Sequence, residues 1–125
     1  MEKQIAEQKE ALETLIEFNE RLVKNMNIII KELSGARMDD TDAFLKGIID
    51  AMNWEIGVMN GTLSLLNRGE ERIHKAEFNE KVIAFGKAVK NKNDSEMADA
   101  IRNLIPEFQN LGETARVVIQ NFCKL

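Results

Sequence analysis

The sequence predicts an all-α fold, namely an antiparallel up-and-down four-helix bundle with long first and last helices. Apolar residues recur at steps of three and four along four segments, a period that places them on one stripe of a helix and that no strand has. Short breaks rich in glycine, asparagine and aspartate separate the segments. A chain of 125 residues is expected to form a single helical-bundle domain over residues 1–125.

The first helix is predicted from about Glu2 to Leu33, and Ser34-Gly35 is expected to end it, because glycine supplies the left-handed residue that closes a helix. Two columns of residues define its buried stripe. One column follows a strict seven-residue repeat, and the second lies beside it on the same face. The first column is Ile5, Leu12, Asn19, Met26 and Leu33, and the second is Leu15, Leu22 and Ile29.

The second helix follows Asp39-Asp40-Thr41-Asp42, which offers N-cap oxygens and early negative charge. It stops at Asn67-Arg68-Gly69. Seven residues at four-three steps are expected to form its core stripe. They are Leu45, Ile49, Met52, Ile56, Met59, Leu63 and Leu66.

The third helix is shorter, and Asn91-Lys92-Asn93-Asp94 ends it. Its apolar residues are Phe78, Val82, Phe85 and Val89.

The fourth helix starts with Asn93 and Glu96 as a capping pair, or with Asp94 itself. Pro106 lies inside this helix and is expected to kink it, because proline removes one backbone donor. The stripe of the fourth helix is Met97, Ile101, Leu104, Phe108, Leu111, Ala115, Val118, Phe122 and Leu125.

Composition and charge exclude several classes of function. With 44% hydrophobic and 30% charged residues the chain is typical of a soluble globular protein, and its longest apolar run, Ile28-Ile29-Ile30, is far too short to span a membrane. A net charge of −4 with scattered basic residues argues against binding to nucleic acid or to an anionic membrane. Glu2 and Lys3 stand where a signal peptide would place its apolar segment, and one cysteine forms no internal disulfide, so we expect a cytoplasmic protein.

The sequence offers no recognisable catalytic, cofactor-binding or metal site, so we expect no enzymatic activity. His74 has Glu70, Glu71 and Glu77 nearby, but a carboxylate-bridged metal bundle needs a second Glu-x-x-His element and the chain has one histidine. We therefore interpret His74 as a solvated residue near the start of the third helix. Cys123 has no histidine partner in its segment and is not expected to be a nucleophile.

Asn19 occupies a core position of the seven-residue repeat, where a polar amide costs stability and fixes register or oligomeric state. Two interpretations are open. Asn19 is either a buried amide bonded across the bundle, or a residue facing a groove into which a partner inserts.

The candidate partner-binding surface is a second stripe on the second helix, formed by Gly47, Asp50, Trp54, Gly57 and Gly61. Three glycines inside one helix cost about 1 kcal/mol each relative to alanine, which is understandable if another chain approaches the backbone closely. Tryptophan is enriched at binding hot spots. The stripe is therefore either a groove anchored by the tryptophan for a partner helix, or a surface covered by a neighbouring helix of the same bundle.

Two stretches of the chain resemble a group of short bacterial helical-bundle proteins associated with flagellar genes. The first is Ala51-Met52-Asn53-Trp54-Glu55-Ile56 with Thr62-Leu63, and the second runs from Ala88 to Asp94 and on through Met97-Ala98-Asp99 to Leu104-Ile105-Pro106-Glu107-Phe108. That group is similar in size and architecture to flagellar export chaperones, small cytoplasmic bundles that shield a helix of an unassembled filament or cap protein. The resemblance implies a chaperone that binds an apolar helix of such a client.

Two hypotheses of function follow. In the first, the protein is a cytoplasmic binding module or export chaperone whose partner is an apolar or amphipathic helix. In the second, it is a self-assembling structural bundle that buries the same glycine surface in a homodimer and has no separate client.

Overall fold

The structure, a computed structural model, describes residues 2–123, and the side chains of residues 4–122. The described part of the chain consists of four helices and has no strand, which confirms the predicted all-α bundle. The helices are α1 (Glu2–Leu33), α2 (Thr41–Leu66), α3 (Lys75–Lys90) and α4 (Asp94–Cys123). Leu125, predicted to end the last stripe, lies outside the described residues.

The long helices α1 and α4 form the central pair of the bundle. Helix α2 packs mainly against α1 and touches α4 more lightly, whereas α3 packs closely against α4. Within the described residues, no Cα atom of α2 comes within 8 Å of one in α3. The two outer helices are therefore held by the central pair and leave a cleft between them.

The predicted stripes of the central helices are buried as expected. In α4 every predicted position from Met97 to Val118 is buried, and Phe122 is half-buried. In α1 both columns are buried except at Ile5, which is 39% exposed because it lies in the first turn of the helix, at one end of the bundle. The core is one cluster of apolar side chains from all four helices.

The core face of α2 is turned towards α1 relative to the predicted stripe. Leu45, Met52, Met59 and Leu66 are buried as predicted. The other three predicted positions, Ile49, Ile56 and Leu63, are only half-buried, and the buried residues beside the stripe are instead Ile48, Glu55 and Thr62. The physical reason is that α2 packs against α1 and has no close contact with α3, so that its side facing α3 stays partly open.

The side of α3 that faces α2 is open in the same way. Phe78 and Phe85 are buried, whereas Val82 and Val89 are half-buried. With Ile49 and Ile56 of α2 these two valines line a cleft of about 230 Å³. Residues predicted from their spacing to belong to the core thus border a solvent-open space.

The helix ends follow the sequence signals in part. The Asn93 Oδ1 atom accepts a hydrogen bond from the backbone N–H of Glu96 at 3.0 Å and caps α4 as predicted. Gly35 has a φ of +120° and follows the end of α1. At the start of α2, Asp40 holds the N-cap position without a side-chain bond. The Thr41 hydroxyl instead accepts the Met38 backbone N–H at 2.8 Å.

Helix α4 contains Pro106 and continues past it to Cys123. The kink expected at Pro106 stays a prediction. None of the described helices has the combination of length and apolar composition that a membrane-spanning helix requires.

Candidate functional site

The predicted partner-binding stripe lies on the exposed side of α2, next to α1. At its centre Trp54 packs edge-to-face against Phe18 of α1, with ring centroids 6.4 Å apart and ring planes at 90°. Both rings are 44% exposed. An aromatic pair that bridges two helices and still presents nearly half its surface to solvent is an apolar feature that the monomer does not cover.

Two grooves flank this aromatic pair along the α1–α2 boundary. The Phe44 groove, of about 450 Å³, is lined among others by Phe18, Leu22, Phe44, Gly47, Ala51 and Trp54. The Gly57 groove, of about 600 Å³, is lined among others by Gln8, Ala11, Trp54, Gly57, Val58 and Gly61. Trp54 borders both grooves, so we call the combined surface the Trp54 face.

Four of the five predicted stripe residues line the Trp54 face, and Asp50 does not. The Asp50 carboxylate lies 3.4 Å from the Lys46 ammonium nitrogen, and both side chains are well exposed. Such a surface pair contributes little to stability. Asp50 therefore shares the predicted stripe without belonging to either groove.

The glycines of the Trp54 face have no packing reason to be glycine within the monomer. A Cβ atom added at Gly47, Gly57 or Gly61 would meet nothing within 4 Å. Gly112 of α4 is different, because a Cβ there would overlap the Asn19 carboxamide. The described part of the chain thus leaves the Trp54 face open, and no neighbouring helix of the bundle covers it.

Asn19 is buried, being only 5% exposed, and bonds across the bundle. Its Nδ2 group donates to the Glu55 Oε1 atom of α2 at 2.8 Å and to the Phe108 carbonyl of α4 at 3.0 Å. Gly112, one turn after Phe108, provides the space for this carboxamide. The interpretation of Asn19 as a buried amide bonded across the bundle is confirmed.

Glu55 is the residue that sequence reasoning missed. Glu55 is 1% exposed and is one of the residues that line the Phe44 groove, one position after Trp54. Burial raises the pKa of Glu55 from its ordinary value of 4.5 to about 7, and the hydrogen bond from Asn19 opposes this rise. The available signal was the three-four spacing of Glu55 with Ile48, Met52, Met59 and Thr62, which places a carboxyl group on the same side of α2 as apolar residues.

The remaining candidates for chemistry lie apart from this face. His74 occupies the N-cap of α3, is mostly exposed, and has its Nδ1 atom 2.7 Å from the Glu71 Oε1 atom. Within the described residues no group of three or more His, Cys, Asp or Glu side chains could hold a metal ion. Cys123, which is not expected to be a nucleophile, has its side chain outside the described residues.

Comparison with protein families gives one match, to a family described as a domain of unknown function, DUF8042, over residues 10–114. The chain belongs to the DUF8042 family. The matched range includes all five predicted stripe residues, together with Asn19, Glu55 and Gly112 of the buried polar cluster. No curated protein and no solved structure matches the chain.

Proposed function

We propose that this DUF8042 protein is a non-enzymatic, cytoplasmic protein-binding module whose Trp54 face receives an amphipathic helix of a client protein. An export chaperone that shields such a helix of a flagellar-type client is the specific form of this proposal. The observation that carries it is the coincidence of three open glycines with a half-exposed aromatic pair on one face. This coincidence leaves backbone accessible to a partner beside a large apolar anchor.

The dimensions of the face favour a helix as the occupant. From Gly47 to Gly61 the α2 backbone extends for about 21 Å at 1.5 Å per residue, which is about four helical turns. Glycine spacing such as that of Gly57 and Gly61 allows two helix backbones to approach closely. A helix laid along α2 would cross the Gly57 groove at these positions and reach the Phe44 groove beyond Trp54.

The energetics of the face favour binding over stability of the monomer. Each glycine in a helix interior costs about 1 kcal/mol relative to alanine, and here no contact within the monomer offsets that cost. Exposed Phe18 and Trp54 supply the kind of rigid aromatic anchor that dominates binding energy at protein interfaces. A second chain that covers the Trp54 face would explain both the open glycines and the exposed aromatic rings.

The alternative function is a self-assembling homodimer that buries the same face. The same open glycines favour it, since two copies of α2 could approach each other through them. A client complex and a homodimer differ in what is joined to the Trp54 face, so one experiment separates them.

Site-specific photo-crosslinking in the native cell tests the proposal. A photoreactive amino acid replaces Gln8, which lines the Gly57 groove, and in a control variant it replaces the exposed Asn79 of α3. We expect a heterologous adduct from position 8 alone, and its loss when Trp54→Ala is added to a chain that remains folded. An adduct of twice the protein's own mass would establish the homodimer, and equal adducts from positions 8 and 79 would contradict a specific face.

A further inference from the structure

We propose that the Phe44 groove recognises a cationic side chain of the client, a lysine or an arginine, with the Glu55 carboxylate as its acceptor and the aromatic rings of the groove as its walls. This inference rests on the proposed function and names the chemistry of the partner at that face. It predicts that the helix bound along α2 is amphipathic and carries a basic residue at the position that meets Glu55.

Glu55 is a buried acid without a cationic partner among the described side chains. Its carboxyl group receives one hydrogen bond, from the Asn19 amide. Among the described side chains no lysine, arginine or histidine nitrogen comes within 4.0 Å of it. A buried carboxylate is costly unless it is paired, so an incoming cation would gain a strong, charge-assisted interaction there.

The Phe44 groove suits the apolar stem of a long basic side chain. Phe18, Phe44 and Trp54 provide three aromatic rings around the same groove as Glu55. Aromatic faces attract ammonium and guanidinium groups, and the apolar stem of lysine or arginine packs against such surfaces. A groove of about 450 Å³ lies within the range of ordinary ligand pockets.

Few other charged groups lie near Glu55. From α1, Arg21 lines the same groove, and among the described side chains it forms no ion pair with Glu55 within 4.0 Å. From α4, the groups next to the Asn19–Glu55 pair are the Phe108 carbonyl and Gly112, neither of which is charged. Lys46 of α2 is paired with Asp50 outside the groove. Apart from Arg21 no basic residue lines the groove, and no described cationic side chain is paired with Glu55.

Ionisation of Glu55 gives the interaction a measurable signature. Because burial raises the pKa of Glu55 to about 7, the carboxyl group is protonated at pH 5.5 and mostly ionised at pH 8. A cation that binds the carboxylate stabilises the charged form and displaces the proton. Cation affinity should therefore rise between pH 5.5 and pH 8, whereas the affinity for a neutral molecule of the same shape should not.

The test uses two small probes, 2-phenylethylammonium and its neutral isostere 2-phenylethanol, titrated at millimolar concentration against the full chain. Trp54 is the only tryptophan and borders the groove, so its fluorescence reports binding. At pH 8 we expect the ammonium to bind at least about tenfold more tightly than the alcohol, as a charge-assisted hydrogen bond implies. In Glu55→Gln this preference should disappear while alcohol binding is unchanged.

Two further measurements keep the result unambiguous. Phe44→Ala should weaken both probes, because it removes a wall of the groove and leaves the acceptor. The pH dependence of ammonium binding to the unmodified protein needs no variant, and it tests the acceptor even if Glu55→Gln fails to fold.

An equal affinity for both probes, a preference retained in Glu55→Gln, no binding of the ammonium, or no change in its affinity between pH 5.5 and pH 8 would overturn the inference. These outcomes leave the crosslinking result unaffected. A client adduct at position 8 together with equal binding of the two probes would support the binding module and contradict the role of Glu55 as the cation acceptor. Absence of a specific adduct would reject the client itself.

Discussion

At the scale of single residues, the hydrogen bonds of Asn19 join three helices through one carboxamide. The same amide group donates to Glu55 of α2 and to the Phe108 carbonyl of α4. The position of Asn19 in the seven-residue repeat predicts that it is buried. The repeat does not predict which groups accept its hydrogen bonds, because these groups lie on helices remote in sequence. A polar residue at a core position is stabilising only when its partners are also present.

The first prediction is that Asn19→Leu destabilises the fold, although leucine suits the apolar repeat. The substitution removes the donor to the buried Glu55 carboxyl, and we expect a loss of about 2 kcal/mol in the free energy of unfolding. Chemical denaturation measures it. The matched control is Asn19→Leu with Glu55→Leu, which replaces both partners by apolar groups and should recover most of the loss. A more stable single variant would show that the amide bonds do not support the core.

The second prediction concerns pH. Because the folded protein binds the Glu55 proton more tightly than the unfolded chain, the associated stabilisation is complete below pH 4.5 and is lost as pH rises to about 7. The difference between these pKa values corresponds to about 3 kcal/mol.

Asp94 acts in the opposite direction, since its hydrogen bonds with Arg37 lower its pKa and its contribution is lost on acidification. The comparison that isolates Glu55 is therefore the free energy of unfolding of the unmodified protein minus that of Glu55→Gln, measured from pH 4.5 to pH 8. We expect this difference to fall with rising pH. A flat difference would mean that Glu55 ionises as readily in the fold as in the unfolded chain.

At the scale of helices, the bundle is uneven, since the described backbone of α3 comes within 8 Å of α4 but not of α1 or α2, and the side of α3 towards α2 is open. One buried apolar face and the ion pair between Lys81 and Glu107, at 2.6 Å, attach α3 to α4. A helix with fewer packed neighbours opens at lower free energy than the central pair.

The third prediction is accordingly that the backbone amides of α3 exchange with deuterium faster than those in the middle of α1 and α4. Hydrogen exchange followed by mass spectrometry of the unmodified protein measures this. We expect the slowest exchange around Met26 and Leu104, where the central helices are fully buried. Protection of α3 equal to that of α4 would contradict the open cleft between α2 and α3.

The sequence predicts the four helices and the stripes of α1 and α4 because long amphipathic helices bury one face whatever packs against it. It predicts the stripe of α2 only in part. Helical spacing allows two pairs to be buried beside Met52, either Ile49 and Ile56 or Ile48 and Glu55. Which pair is buried depends on whether α2 packs against α3 or against α1. Four residues of the Trp54 face were predictable from their spacing on α2. The place of Phe18 beside Trp54 depends on the pairing of α1 with α2. The spacing of Glu55 on α2 indicated its side of the helix, but its bond with Asn19 also depends on that pairing.

At the scale of the whole molecule, the central pair of helices carries the core while α2 presents the Trp54 face outward. The bundle offers a second open apolar surface, the cleft between α2 and α3, which is the competing location for the proposed client helix. Each surface contains a helix glycine with open surroundings, Gly57 on the Trp54 face and Gly86 in the cleft. These two residues form a matched pair for locating the binding surface.

The central claim is tested most directly by comparing Gly57→Leu with Gly86→Leu, measuring both unfolding and affinity for the crosslinked client. A Cβ atom at either position meets nothing within 4 Å, and leucine is a better helix former than glycine. We therefore expect the free energy of unfolding of both variants to rise by about 0.5 kcal/mol. We predict that Gly57→Leu loses client binding, because the side chain fills the groove, and that Gly86→Leu binds normally. Normal binding by folded Gly57→Leu, or loss of binding in Gly86→Leu alone, would contradict the assignment of the Trp54 face as the binding surface.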